Sequence, residues 1–90
     1  MEKSRIRKGN MKILKFSAKW CAPCNALKKT LSEMEIPYEV EDIDVDTYME
    51  KVTQFGIRGI PTLVLLDDSG NVIRQKQGIT TKKDVLEFLQ

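Results

Sequence analysis

The run Leu63-Val64-Leu65-Leu66 allows few environments. Successive side chains of a strand point to opposite faces, so an unbroken apolar run predicts a strand covered on both sides. Both faces of its sheet must therefore be covered, and the neighbouring segments supply further elements. Asp67-Asp68-Ser69-Gly70-Asn71 has the chemistry of a hairpin turn. Val72 to Gln77 reads as the return strand, and its Arg74 and Lys76 suit an exposed sheet edge. Thr81-Lys82-Lys83-Asp84 resembles a capping box ahead of a last helix, with Val85, Leu86 and Leu89 as its buried stripe.

The first half of the chain alternates strand and helix. Ile13-Leu14-Lys15-Phe16 is a short apolar run, interrupted once, as expected of a central strand. Beyond it Ala26, Leu27, Leu31 and Met34 recur at helical spacing, with Lys28, Lys29, Ser32 and Glu33 opposite. Pro37 forces Ile36 out of helical geometry and ends this helix before it. Tyr38 to Asp44 predicts a second strand anchored by Val40 and Ile43. A short helix is expected from Thr47 to Phe55, with Asp46 as N-cap and Gly56 closing it in the left-handed conformation. The whole is an α/β chain: a βαβ unit with two parallel strands and a right-handed crossover, then a ββα unit. Together they form a minimal four-stranded mixed sheet with helices on both faces.

Ninety residues make one domain. Residues 1–10 are basic, polar and broken by Gly9-Asn10, so they read as a solvated tail, and the packed domain is expected over 11–90. A formal charge of +2 is too small to predict a nucleic-acid surface. No apolar stretch approaches the roughly 18 residues of a membrane span. The charged N-terminus lacks the apolar segment of a secretory signal. A cytoplasmic monomer is the expectation, and in the cytoplasm a cysteine pair is more often catalytic or metal-binding than a structural staple.

Cys21 and Cys24, the two cysteines of the chain, form a C-x-x-C where the first strand passes into the first helix. Cys21 at the helix N-terminus would face unpaired N–H groups and the positive end of the dipole, which favour the thiolate that attacks disulfides. Cys24, one turn further in, is placed to attack the resulting mixed disulfide. Pro23 suits the first helical turn, where its missing N–H costs little. Half of a zinc site is a competing reading, but zinc takes about four ligands, mostly Cys and His. The chain has no His and no further Cys. A structural disulfide is another, but it would close a very short loop, where the entropic gain is smallest.

The segment Trp20-Cys21-Ala22-Pro23-Cys24 resembles the active-site motif of thioredoxins, with Ala22 where the family usually has Gly. Gly56-Ile57-Arg58-Gly59-Ile60-Pro61-Thr62 resembles the segment that carries the family's cis-proline, and Gly78 matches the glycine across the substrate groove. The resemblance covers about residues 11 to 90, and the strand and helix that open a full-length thioredoxin have no counterpart in it. It implies the thioredoxin fold and a protein-disulfide reductase with no cofactor, acting on disulfide-containing proteins and recharged by a thioredoxin reductase. Gly59, Ile60, Pro61 and Gly78 would bind an extended substrate segment through its backbone, and Trp20 would present an apolar face beside Cys21. One alternative is a glutaredoxin-like, glutathione-dependent enzyme. Ala22-Pro23 between the cysteines and the lack of a Gly-Gly element in Asn71 to Gln77 argue against it. A thioredoxin-fold binding subunit is another alternative, and it would survive replacement of Cys21 by Ser.

Lys15 stands where thioredoxins usually place a buried Asp, and Ser17 where a Trp is common. A buried ammonium is costly unless it is paired or gives up its proton. Two readings are open. Lys15 pairs with Glu39 or Glu41 of the neighbouring strand and biases the cysteines toward thiolates, or it snorkels to the sheet surface and leaves them untouched.

Overall fold

The computed structural model describes residues 11–90, and the basic segment 1–10 lies outside the described residues. Four strands, β1 (Lys12–Ser17), β2 (Glu39–Asp44), β3 (Thr62–Leu66) and β4 (Val72–Gln77), form one sheet in the order β2-β1-β3-β4. β1 pairs with β2 in parallel and with β3 antiparallel, and β3 pairs with β4 antiparallel. Helix α1 (Ala22–Ser32) makes the β1–β2 crossover, α2 (Met49–Gln54) precedes β3, and α3 (Lys82–Leu89) follows β4.

The alternation along the inner strands builds two cores. On one face Ile13, Leu63 and Leu65 pack against Leu27 of α1 and Val85 and Phe88 of α3. On the other, Leu14, Phe16, Ile43 and Val64 pack with Val52 and Phe55 at α2. The continuous apolar run 63–66 thus meets side chains on both sides, and β4 lies at the sheet edge as its charges predict.

Several expectations need correction. Ala26 is exposed, because the buried face of α1 runs through Cys24 and Leu27 and lies a full helical step from it. In α3 the buried pair is Val85 and Phe88, three residues apart, which leaves Leu86 about half exposed. The expected cap at Thr81 is present, its hydroxyl accepting from the Asp84 N–H at 3.1 Å. Helix α2 begins at Met49 with Tyr48 as N-cap, and no side chain caps it. Asp46 is committed elsewhere. Gly56, with φ of 63°, follows α2 in the left-handed conformation.

Two carboxylates tie fold stability to pH. A hydrogen bond from the Lys12 ammonium, at 2.6 Å, holds the Glu41 carboxyl below the usual range. Backbone N–H groups, first that of Asn71 and then that of Ser69, do the same for Asp67 in the hairpin turn. Because both folded values lie below the unfolded ones, about 4.3 for Glu and 3.9 for Asp, their contribution is present above that range. It is lost as pH falls through the folded values. Urea midpoints should therefore drop between pH 6 and pH 2, and the drop should be smaller in the Glu41→Gln, Asp67→Asn double variant.

Candidate functional site

The site begins where β1 ends. Past Ser17, the Cys21 N–H donates to the Ala18 carbonyl at 3.2 Å, closing a tight turn that delivers Cys21 to the N-cap of α1. Pro23 occupies the first turn of α1, where no backbone donor is missed. Cys21 and Cys24 are joined as a disulfide with their Cα atoms 5.2 Å apart. The Cys24 N–H donates to the Cys21 sulfur at 3.2 Å. That bond aims a free helix-terminal N–H at one sulfur of the pair and not at the other, an arrangement that favours negative charge on Cys21.

Both cysteines are buried, and with Ala18 they form a small cluster against which Val45 and Ile60 pack. Val45 is brought there by its N–H donating to the Ser17 carbonyl at 2.9 Å. Ile60 comes from the loop before β3, and the Ile60–Pro61 peptide bond is cis. Pro61 is buried, and its carbonyl accepts from the Gly78 N–H at 2.8 Å. Ile60 thus packs on the cysteines, and the Pro61–Gly78 bond joins the two chain segments at the open end of the β3–β4 hairpin. Gly78 has φ of 81°, a conformation that side chains resist. Gly59 is held by its carbonyl accepting from the Thr62 hydroxyl at 2.6 Å, and a Cβ there would lie 2.6 Å from the Gln77 amide nitrogen.

Trp20 is 70% exposed, and Ala22 and Pro23 are exposed beside it. The indole N–H donates to Asp46 at 2.9 Å, while the Asp46 N–H donates to the Asp44 carboxylate at 2.9 Å. Asp46 is thus the anchor of Trp20 and not the cap of α2. Trp20, Val45, Ile57, Arg58, Gly59 and Ile60 help line a groove of about 280 Å³.

Lys15 is 5% exposed, so its side chain does not reach open solvent. Its ammonium pairs with Asp42 at 2.7 Å, and neither Glu39 nor Glu41 is its partner. The parallel register explains the correction: Lys15 lies opposite Asp42, whereas Glu39 and Glu41 lie opposite Lys12 and Leu14 and project to the other face. Glu41 there binds Lys12 and Lys51. Lys15, Asp42 and Cys24 line a common cleft of about 220 Å³. Asp42 and Asp46 are the residues that sequence reasoning missed. The alternation of β2 held a signal for the first; the second depends on a contact between residues 26 apart.

The thioredoxin family profile matches residues 3–90. A thioredoxin from Pseudomonas aeruginosa is 33% identical over 81 residues, covering 86% of this chain and 74% of the relative. Protein disulfide-isomerase TMX3 from Xenopus laevis is 33% identical over 89 residues, 91% of this chain but 19% of that protein. Among solved structures, a mutant thioredoxin from Halobacterium salinarum superposes with a TM-score of 0.77 at 30% identity, covering 93% of this chain and 74% of that one. Profile, sequence and backbone agree with the geometry around the cysteine pair: this chain belongs to the thioredoxin family and is a thioredoxin-type disulfide oxidoreductase.

Proposed function

We propose that the chain reduces disulfides in protein substrates, with Cys21 as the attacking thiol and Cys24 as the resolving one. The observation that carries this reading is the Cys24 N–H directed at the Cys21 sulfur. Once the pair is reduced, the same donor and the helix dipole stabilise a Cys21 thiolate. The thiolate attacks one sulfur of a substrate disulfide and releases the other as a thiol. Cys24 then attacks Cys21, the substrate leaves reduced, and the pair ends as the disulfide.

The substrate segment runs extended along Gly59, Ile60 and Pro61, with Gly78 on its far side, where backbone groups give affinity without demanding a sequence. Trp20 and Ile57 supply apolar walls to the groove. A thioredoxin reductase returns the pair to the dithiol, in the cytoplasm. The domain that performs this spans residues 11–90, and the basic segment before it is dispensable.

Reduction of insulin disulfides tests the proposal. The full chain, and a chain beginning at Met11, should both turn over with NADPH and thioredoxin reductase. Both should be far slower with glutathione and glutathione reductase. Faster recharging by glutathione would favour the glutathione-dependent reading, and inactivity of the shorter chain would give residues 1–10 a role.

A further inference from the structure

The ammonium of Lys15 is the most anomalous charge in the described residues. It is carried by a central strand, between Ile13 and Phe16 of the two cores, and its side chain is 7% exposed. A lysine placed there solely for stability has little to recommend it, since a buried ion pair often contributes less than apolar side chains of the same volume. Its carboxylate partner among the described residues, Asp42, is 70% exposed. Water therefore screens the negative end of the pair far more than the positive end. What remains inside is a net positive field at the floor of the cleft that Cys24 also lines.

Among the described residues the cleft holds one further anion, Asp44, and two further cations, Lys19 and Lys28. Lys19 and Lys28 are exposed cations and add to the field weakly. The Asp44 carboxylate accepts the Asp46 N–H and is thereby partly committed. Tyr48 is 51% exposed. The helix terminus, meanwhile, serves Cys21 through the Cys24 N–H, so Cys24 gains no comparable donor from α1.

We propose that Lys15, held in place by Asp42, is a positioning residue for the second half of the reaction: its ammonium stabilises the thiolate of Cys24. The inference rests on the reductase reading above and concerns its resolving step. In that step the Cys24 thiol loses its proton to water at the open side of the cleft. The Cys24 sulfur then forms a bond to the Cys21 sulfur, and the bond between Cys21 and the substrate breaks. The electron pair departs on the substrate sulfur, which takes a proton from solvent. Lys15 neither gives nor receives a proton in this step. It lowers the energy of the anion that forms on a buried sulfur lining the same cleft.

The thiolate of Cys24 can be titrated alone. In the reduced full-length Cys21→Ser protein, ultraviolet thiolate absorbance against pH reports Cys24. Adding Lys15→Met should lower the thiolate fraction near pH 7 about tenfold, one pKa unit, while Lys15→Arg should keep it close to that of the Lys15 protein. With both cysteines present, Lys15→Met should prolong the mixed disulfide with substrate and slow product release to a similar degree. Lys15→Gln provides a second neutral variant should Lys15→Met fold poorly. Superimposable titrations for lysine, arginine and neutral side chains would overturn the proposal. Failure of the reductase reading looks different: Cys24→Ser would then trap no substrate at all, whatever the Cys24 titration shows.

Discussion

Replacing Cys21 with Ser should abolish insulin reduction, down to the rate of exchange without enzyme. A serine hydroxyl cannot enter thiol–disulfide exchange, and Cys24 cannot take over the attack. Both sulfurs are buried, but Cys24 lacks the helix-terminal donor that the Cys21 sulfur receives. Cys24→Ser should behave otherwise. The first attack proceeds, the second cannot, and substrate accumulates in a mixed disulfide on Cys21. Non-reducing electrophoresis and mass spectrometry of the trapped species separate the two outcomes. Trapping by the Cys21→Ser protein instead would reverse the roles.

Phe16→Ala should produce the largest loss of stability of any single truncation near the site. Phe16 is fully buried at the centre of the second core, and its ring meets that of Phe55 at a centroid distance of 5.8 Å. Phe→Ala in a core costs about 3–5 kcal/mol, because the lost transfer energy adds to that of the cavity left behind. A chain of 90 residues has on the order of 5–13 kcal/mol in total. The damage should also be uneven. Helix α2 has no side-chain cap and no fully buried residue, so it is held mainly by the packing of Val52 and Phe55 on that core. Amide hydrogen exchange should accelerate in residues 49–57 before it does in α1. Ile60 and Val45 pack on both this core and the cysteine cluster, so the substrate groove should loosen as well. An unfolding midpoint close to that of the unsubstituted protein would show that the core collapses around the missing ring.

The sequence was legible where a pattern is local. The run 63–66 needs two covered faces whatever surrounds it, and the C-x-x-C after an apolar strand fixes a helix N-terminus within a residue. Legibility failed where a side chain had two suitors. Asp46 is a sound N-cap by type, yet an indole donor 26 residues earlier engages it, and α2 starts later without a cap. Leu86 looked like core because it is apolar, but α3 turns the spacing of Val85 and Phe88 toward the sheet. Lys15 shows both sides of the matter. Its place on a central strand was anomalous in the sequence, while its depth and its partner depended on the folded sheet, whose register sets the face of every residue in β2 at once. Asp42 shares that face; Glu39 and Glu41 do not.

The charge on β2 has a bearing on solubility. Among the described residues β2 is an edge strand, and Glu39, Glu41, Asp42 and Asp44 make up most of it. An edge presents unpaired backbone groups to any other edge it meets, and a row of like charges is an effective deterrent. Two copies approaching through β2 each bring the same carboxylates and repel. Replacing these carboxylates with neutral side chains would remove the deterrent and leave the β2 edge open to pairing. The opposite edge carries Arg74 and Lys76, and Arg74 is drawn inward to the carbonyls of Phe88 and Gln90. Lys76 is thereby left as the main cation guarding that side. A Lys76→Thr variant would leave the β4 edge flatter and less charged, and filament formation in a crowded solution would start there.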